Sequence, residues 1–414
     1  MIKENGKRPQ HLKQENRALV LRAILHDGIR SRTSIAQNLS LTKTALSHLV
    51  GELIEDGLLT QETETQTGNV GRRTIRLSLA ETAPVICGIL IRRGELRVLL
   101  ADLSGKPLFE KSHHFSGLIK PQVLQDTLIT LYREAILCCH SSILAIGIAC
   151  AGPLNISEGT VSPHGLFTYP YTFRVVSFFQ ELSGRPAFLC NDATAGALAE
   201  KLFGCVREED SFVYISTHKG IGAGLFLNGK LYNADIGQNG ELGHMSIRFD
   251  GKRCICGGRG CLRLYANADS ILHADPSFRT DYPNHPFFSF DTLDFLTLLQ
   301  YAAQDDPLAC IILDRDCRYL AVAVRNLCTQ LSLHTVVLAG LGPGKKPVFS
   351  QALLKALNGI PTPVCPTSTI VESLFGMDAP LYGSIGIIVE KIFSGELSPL
   401  VPNERTINHV HSNS

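Results

Sequence analysis

The stretch from residue 239 to residue 264 constrains the fold of this chain more than any other. It contains one histidine and three cysteines: His244, Cys254, Cys256 and Cys261. Three thiolates and one imidazole form a complete tetrahedral ligand set for zinc and leave no position open for water. Glycines throughout the same stretch allow the backbone to turn all four side chains toward one ion. The spacing therefore predicts a structural zinc site rather than a hydrolytic one.

Two other interpretations of these cysteines exist. A cysteine often packs as a small buried hydrophobe, and a pair of cysteines can form a disulfide. The polar start shows no signal peptide, and no apolar run approaches the ~18 residues of a membrane span, so we expect a cytoplasmic protein with reduced thiols and no membrane contact. Most of the other cysteines among the 13 in the chain lie in apolar surroundings and are predicted to pack in the core, for example Cys87, Cys150 and Cys328.

Length and composition indicate a soluble globular protein of two or three domains. The chain has 414 residues, of which 44% are hydrophobic and 19% charged. Residues 1–80 carry 12 Lys and Arg against 8 Asp and Glu, whereas the remainder carries 27 against 30. This basic N-terminal segment, called the head below, is compatible with nucleic-acid binding.

The head shows the pattern of a winged helix-turn-helix. Apolar periodicity predicts helices over residues 10–26, 34–39 and 43–55, with Ser31 or Thr33 capping the second and Thr42 the third. Two strands are expected at 58–60 and 74–79. The third helix would enter the major groove of DNA.

Six residues of the head are candidate DNA contacts. Lys43, Thr44, Ser47 and His48 lie on the polar side of the third helix, and Arg72 and Arg73 lie in the loop of the hairpin. The arginines would hold phosphates or a narrow minor groove. The alternative is a small helical dimerisation domain with a solvated face, since the helix face carries one formal charge.

The rest of the chain predicts an α/β body with an internal repeat. Paired strands are expected at 85–91 and 96–100, and again at 212–216 and 222–227, each pair followed by a Gly-Lys turn, at 105 and 229. Further strands are predicted at 144–149 and 335–339, and helices at 123–138, 192–202 and 308–331. The body is therefore expected to consist of two related lobes.

With these residues in view, the chain resembles the ROK family of repressors, uncharacterised open reading frames and sugar kinases. The resemblance is carried by Glu241-Leu242-Gly243-His244 and the Cys254–Cys261 block, supported by Ala151-Gly152-Pro153 and Asn191-Asp192-Ala193. It implies an actin/hexokinase-like (ribonuclease H-like) body with a sugar cleft between two lobes and a zinc in the second. The head is similar to that of the family's transcription factors, and the kinases lack it.

The resemblance also implies domain limits. The head would span residues 1–80, the first lobe 81–200 completed by about 376–395, the second lobe 201–375 with the zinc, and a tail 396–414. The sequence of this chain differs from that of the family's kinases at both phosphate loops. The first reads Leu90-Ile91-Arg92-Arg93-Gly94 where the kinases have Asp-x-Gly-Gly-Thr, and the second reads His218-Lys219-Gly220-Ile221-Gly222. Because phosphoryl transfer depends on positioning and charge neutralisation, no useful kinase activity is expected.

Five residues are candidate ligand contacts. The resemblance matches Asn191, Asp192, Glu241 and His244 to sugar-contacting positions, although Asp192 is equally suited to cap the helix that follows it. The family usually has a carboxylate two residues after the last cysteine, where this chain has Arg263. One hypothesis is an anionic effector paired with Arg263; the alternatives are that Arg263 faces solvent or pairs with Glu241 and that the neutral-sugar site is lost.

The function predicted is a sugar-responsive transcriptional regulator, most simply a repressor of carbohydrate uptake or catabolism genes. A homodimer, or a dimer of dimers, would bind an inverted-repeat operator, and a sugar or sugar derivative in the cleft would alter the DNA-binding heads. Two alternatives are a sugar kinase with an appended head and a regulator controlled by a protein partner, such as a component of a sugar phosphotransferase system.

Overall fold

A computed structural model describes residues 9–63, 75–162, 166–217, 220–232, 240–360 and 369–400 of the protein. Contacts divide the chain into two compact units. The first comprises residues 1–148, 174–189 and 384–414, and the second comprises residues 149–173 and 190–383.

The head, in the first unit, contains three helices and an antiparallel strand pair: α1 (Pro9–Leu25), α2 (Arg32–Asn38), α3 (Lys43–Glu55), β1 (Leu59–Thr63) and β2 (Ile75–Leu79). The predicted order of elements is confirmed. The second helix is capped by Ser31 rather than Thr33, and the third by Thr42, since each hydroxyl accepts a hydrogen bond from the backbone N–H three residues later.

The core of the head is built from leucines and other aliphatic residues at helical spacing. Leu46, Val50 and Leu53 of α3 are fully or almost fully buried, as are Leu21 and Ile35 of the preceding helices. Burial of each such side chain contributes about 1.5–3 kcal/mol, so hydrophobic packing accounts for most of the stability of this small region.

Charged side chains connect α1 to the end of α3. Lys13 Nζ lies 2.5 Å from Glu52 Oε1, and Arg17 Nη1 lies 3.2 Å from Glu52 Oε2. Arg17 also pairs with Asp56. The hydrogen bond from Lys13, with smaller effects from Arg17, lowers the pKa of Glu52. This network orients the polar side of α3 with respect to α1.

The first unit also holds a five-stranded sheet in the order β5-β4-β3-β6-β9. Its strands and helices are β3 (Val85–Arg92), β4 (Glu95–Ala101), β5 (Pro107–His114), α4 (Pro121–Leu137), β6 (Ile143–Cys150), α5 (Val175–Ser183) and β9 (Ala187–Asn191), with α12 (Ala379–Phe393) entering from the second unit. Helix α12 lies directly on the sheet because Gly147 has no side chain: a Cβ there would lie 1.8 Å from Ser384 O.

The second unit contains a five-stranded sheet in the order β12-β11-β10-β13-β14. These strands are β10 (Phe212–Ser216), β11 (Gly222–Leu227), β12 (Lys230–Leu231), β13 (Thr335–Leu338) and β14 (Thr369–Glu372), and a short strand pair consists of β7 (Leu154–Asn155) and β8 (Thr160–Val161). The helices are α6 (Asp192–Leu202), α7 (Ala268–Ala274), α8 (Ser277–Asp281), α9 (Phe295–Ala302), α10 (Pro307–Leu331) and α11 (Val348–Asn358).

The two sheets share one strand order. In each, three successive antiparallel strands form one side, and two later strands complete the other. Asn228 and Gly229 turn the chain between β11 and β12 with φ of 53° and 73°, as the Asn-Gly pair predicts. The internal repeat expected from the sequence is therefore present. None of the helices in the described ranges is both long and apolar enough to cross a bilayer.

Candidate metal centre and ligand site

The four predicted metal ligands converge in the second unit. One ligand atom each from His244, Cys254, Cys256 and Cys261 lies within 4.8 Å of the other three. Cys254 Sγ lies 3.6 Å from His244 Nδ1, and Cys256 Sγ lies 3.6 Å from Cys261 Sγ. In a tetrahedral zinc site, with Zn–S of about 2.3 Å, two sulfurs lie about 3.8 Å apart. The cluster therefore has the dimensions and the donor set that a tetrahedral metal ion requires.

The cysteines of the described chain are free thiols rather than disulfides. The Cys256–Cys261 separation of 3.6 Å is well beyond the ~2.05 Å of an S–S bond. Cys87, Cys150 and Cys328 are fully buried, which confirms their assignment to the core.

Residues 244–264, called the metal loop below, fold back on themselves around a glycine. Gly260 has φ of +66°, and a Cβ there would lie 1.7 Å from Arg248 O. Its N–H donates to Lys252 O over 2.9 Å, while the Lys252 N–H donates to the Tyr265 hydroxyl over 2.9 Å. No motif in the sequence marks Tyr265, yet it holds the loop that carries the cysteines.

A tight turn presents the sulfurs to one point. The Gly257 N–H donates to Cys254 O over 3.0 Å, and the Cys254 N–H donates to Gly258 O over 2.9 Å. Burial raises the pKa of the Cys261 thiol to about 12, whereas hydrogen bonding from the Gly258 backbone lowers the pKa of Cys256. A bound cation would favour the thiolate form of both cysteines, because a coordinating thiol is deprotonated.

Backbone pairing with β11 fixes the segment that leads to His244. The Ala223 N–H donates to Gly240 O over 2.7 Å, and the Gly243 N–H donates to Ile221 O over 2.9 Å. Gly240 has φ of +68°, and a Cβ there would lie 1.6 Å from Ala223 O. Residue 240 must therefore be glycine. The backbone hydrogen bonds to β11 place the neighbouring Glu241 next to that strand.

Strand β11 in turn lies on helix α6, which begins beside the candidate ligand residues. A Cβ at Gly224 would lie 2.4 Å from Ala193 O, so strand and helix backbones are in contact. Asn191 is the N-cap of α6, because its Oδ1 accepts from the N–H groups of Ala193 and Thr194 at 3.0 and 3.3 Å. The suggestion that Asp192 is the cap is therefore wrong: Asp192 is the first helical residue, and its Oδ1 accepts from Ala193 N at 2.9 Å.

Asn191 and Glu241 meet at Gly152. A Cβ at Gly152 would lie 3.8 Å from Glu241 Oε1 and 3.9 Å from Asn191 Nδ2. With its oxygen used as the helix cap, Asn191 presents the amide nitrogen on the side of Glu241. A donor and an acceptor placed together in this way suit the hydroxyl groups of a carbohydrate, each of which donates and accepts.

Arg263 lies against the ring of His244. Arg263 Nη1 is 3.5 Å from His244 Nε2, and both side chains are half-buried. The alternative in which Arg263 pairs with Glu241 is not present among the described residues, where Glu241 is exposed. The structure thus brings Asn191, Glu241, His244 and Arg263 into one region of the second unit, with Asp192 adjoining Asn191.

The turn at residues 92–94, which is matched from the sequence to the first kinase phosphate loop, is closed by an ion pair. Strands β3 and β4 join through Arg93 and Gly94, and Arg92 Nε donates to Glu95 Oε2 over 2.6 Å. In the second loop, His218 and Lys219 lie outside the described residues.

In the head, four of the six candidate DNA contacts can be placed. Lys43, Thr44, Ser47 and His48 are all exposed on α3. His48 Nδ1 lies 3.2 Å from Glu52 Oε1, which joins it to the network from α1. Arg72 and Arg73 lie outside the described residues.

Two α/β sheets of one strand order place the second part of the chain in the fold that is also found in a ROK transcriptional regulator and a ROK hexokinase. The description "ROK family" matches residues 86–389, and the chain belongs to that family. It is 27% identical over 386 residues to the xylose repressor of Bacillus spizizenii, covering 92% of this chain and 96% of the relative.

Solved structures agree with this assignment. A ROK family transcriptional regulator described as a homologue of the E. coli MLC protein superposes with a TM-score of 0.76 at 25% identity, over 93% of this chain and 98% of that one. The ROK hexokinase of Thermus thermophilus superposes with a TM-score of 0.57 at 25% identity, over 74% and 99%. The matches to the two regulators are thus long enough to include part of the head, whereas the match to the kinase is about as long as the body alone.

Proposed function

We propose that this protein is a DNA-binding transcriptional repressor whose DNA affinity responds to a sugar or sugar derivative. The observation that carries the proposal is the extent of two matches: one to a relative named a xylose repressor, over 92% of the chain, and one to a solved ROK transcriptional regulator, over 93%. A match of that length includes part of the head. The relatives' names also point to genes of carbohydrate uptake or catabolism as the regulated set.

The head is assigned as a winged helix-turn-helix. Its helix α3 has a buried apolar side and an exposed polar side that carries Lys43, Thr44, Ser47 and His48. Such a helix places its exposed N-terminal residues against base edges in the major groove. Arg72 and Arg73 are assigned to phosphates. A homodimer would bind an operator built as an inverted repeat. The proposed domains are the head 1–80, the first lobe 81–200 completed by about 376–395, the second lobe 201–375 and the tail 396–414.

The metal is assigned as zinc, held by His244, Cys254, Cys256 and Cys261. Soft thiolate donors with one imidazole favour zinc over harder divalent ions, and four protein ligands make the site structural. The ion would brace the metal loop and, through His244, the loop that carries Glu241. The residues Asn191, Asp192, Glu241 and His244 are assigned to the sugar, with no catalytic role for Asp192.

The test of the repressor function is binding of full-length protein to labelled duplexes from the region upstream of its own gene, measured by fluorescence anisotropy. We expect a preferred duplex with Kd of about 10⁻⁸ M or tighter, and at least about 10³-fold weaker binding to scrambled sequence. Lys43→Ala should weaken binding to every duplex and reduce the salt dependence, whereas Thr44→Ala should change the preferred sequence. Glu55→Gln on the same helix is the control. Equal affinity for all duplexes contradicts the assignment.

Sugar kinase activity is the second candidate, favoured by the superposition on the ROK hexokinase. Incubation with hexoses, ATP and Mg²⁺ separates the two functions. We expect ADP formation no faster than without sugar, because Arg92 and Arg93 occupy a loop that must admit phosphate oxygens. Turnover at about 1 s⁻¹ or more would favour the kinase.

A further inference from the structure

We propose that the effector carries an anionic group, a phosphate or a carboxylate, held jointly by Arg263 and the ring Nε2–H of His244. This inference rests on the proposed function, since it names the chemical class of the effector at the same site. Three features of the second unit carry it: the identity of the facing nitrogens, the charge of Arg263 and the neighbouring polar groups.

The facing nitrogens are both hydrogen-bond donors when the cluster holds its metal. Nδ1 of His244 faces Cys254 Sγ at 3.6 Å, on the side of the metal ligands. With a metal on Nδ1, the ring of His244 would carry its remaining proton on Nε2. Arg263 Nη1, 3.5 Å from Nε2, belongs to a group that can only donate. One acceptor atom lying against both nitrogens satisfies them together.

The charge of Arg263 decides between a neutral and an anionic acceptor. A guanidinium keeps its charge at all relevant pH values, and Arg263 is half-buried. Among the residues that the structure describes, Arg263 contacts the ring of His244, and no carboxylate pairs with it. A charge removed from water is stabilised by an opposite charge, and phosphate or carboxylate oxygens match the planar guanidinium geometry.

The neighbouring groups define the rest of the effector. Glu241 and Asn191 place an acceptor and a donor around Gly152, which suits hydroxyl groups. The anion-binding pair lies on the far side of His244 from the cysteines, three residues along the chain from Glu241. A molecule with several hydroxyls and one anionic group, a sugar phosphate or a sugar acid, provides groups for both sets.

Calorimetric titration of full-length, zinc-loaded protein tests the inference. The probes are glucose and xylose, their phosphates, gluconate and xylonate, and inorganic phosphate, with zinc content measured on every sample. We expect at least one charged sugar to bind about tenfold or more tighter than its neutral parent. Inorganic phosphate alone should bind more weakly than that sugar.

Substitutions at two positions of the metal loop make the test specific. Arg263→Gln should abolish the preference for the charged sugar, and Arg263→Glu should reverse it in favour of the neutral one. Arg253→Gln removes the same charge at an exposed position of the loop and should leave the preference intact. All three variants should retain one zinc per chain, which separates loss of the anion contact from loss of the fold.

Several outcomes overturn the inference. Tighter binding of a neutral sugar that Arg263→Gln leaves unchanged would do so, as would a panel in which no charged sugar binds better than its parent. Equal loss in Arg253→Gln and Arg263→Gln would show general charge attraction instead. Fluorescence anisotropy of DNA binding on the same samples distinguishes failure of this inference from failure of the proposed function. If a neutral sugar releases the protein from its specific DNA, only the inference of an anionic effector is wrong. If there is no specific DNA binding, the proposed repressor function is wrong.

Discussion

The metal loop and the head are both small, but they are held in shape by different forces. In the head, Leu46, Val50 and Leu53 are at most 1% exposed, and apolar packing supplies most of the stability. In the metal loop Leu262 is fully buried, but Phe249 is 90% and Ile255 77% exposed, so apolar burial contributes less there than in the head. The loop instead relies on glycine conformations, backbone hydrogen bonds and four ligand side chains.

This difference means that the stability of the head depends on apolar packing, whereas the conformation of the metal loop depends on its ligands and its backbone. Substitutions that create a cavity should destabilise the head, and chelators should not. The metal loop should be destabilised by metal removal and by a Cβ added where two backbone segments are in contact. Each substitution below changes one of these two regions.

The largest effect is expected from removal of one metal ligand. Cys256→Ser replaces an exposed cysteine of the cluster, and we expect the purified protein to lack the proposed zinc, since structural zinc binding contributes on the order of 10 kcal/mol or more. Cys138→Ser is the matched control, because Cys138 is also exposed and lies outside the cluster. Metal content after dialysis against a chelator is the measurement. Retention of one zinc per chain by Cys256→Ser would refute the ligand assignment.

The second effect concerns the core of the head. Leu53→Ala removes a fully buried side chain of α3 and should destabilise the head by about 2–5 kcal/mol, since a cavity adds to the lost burial. Hydrogen exchange read by mass spectrometry should show faster exchange in residues 9–63 and unchanged protection in the metal loop. Leu19→Ala, at a position that is 41% exposed, is the control and should cost far less. Equal deprotection of both regions would mean that they unfold together.

Sequence patterns predicted the head and the ligand cluster well because both depend on local spacing. The bounds of α3, its cap Thr42 and the convergence of His244 with the three cysteines all follow from residues within one short stretch. The sequence does not decide which residue caps α6, since Asn191 and Asp192 are adjacent and both residue types cap helices. The chain direction as it leaves β9 decides between them, and that direction is a tertiary property.

Other features could not be obtained from local spacing. The segment after Gly240 is positioned by hydrogen bonds to β11, and the hydroxyl of Tyr265 accepts from Lys252, thirteen residues earlier. The contact of Arg263 with His244 spans 19 residues. Each depends on how the loop folds back, for which a single sequence provides no periodic signal.

The third effect compares two glycines of the metal loop. Gly257 and Gly260 both have positive φ, at +91° and +66°, but a Cβ at Gly257 meets nothing within 4 Å, whereas one at Gly260 meets Arg248 O at 1.7 Å. Gly257→Ala should cost about 1 kcal/mol of strain, and Gly260→Ala should cost more because the backbone must also move. Competition with a chromophoric chelator measures the zinc affinity of each. Equal losses would show that the close approach at Gly260 does not limit the loop.

The smallest effect is electrostatic and belongs to the head. The hydrogen bond from Lys13, with help from Arg17, lowers the pKa of Glu52 below its usual 4.5, so the folded head favours the carboxylate. A lowered pKa stabilises the folded form above the unfolded pKa, and this contribution is lost as the pH falls below about 4.5 through the folded value. Glu52→Gln should therefore lower stability at neutral pH by less than about 1 kcal/mol and converge with the parent in acid.

The absence of tryptophan from the chain makes this small difference measurable. A single Leu19→Trp change places a fluorophore on α1, where urea unfolding of the head can be followed at a series of pH values. Glu55→Gln makes the same charge change on α3 and leaves the contacts with Lys13 and Arg17 in place, so its stability profile should run parallel to that of the parent. If Glu52→Gln also runs parallel down to pH 3, the ion pairs of Glu52 with Lys13 and Arg17 contribute no stability, and apolar packing outweighs them in holding the helix that is proposed to contact DNA.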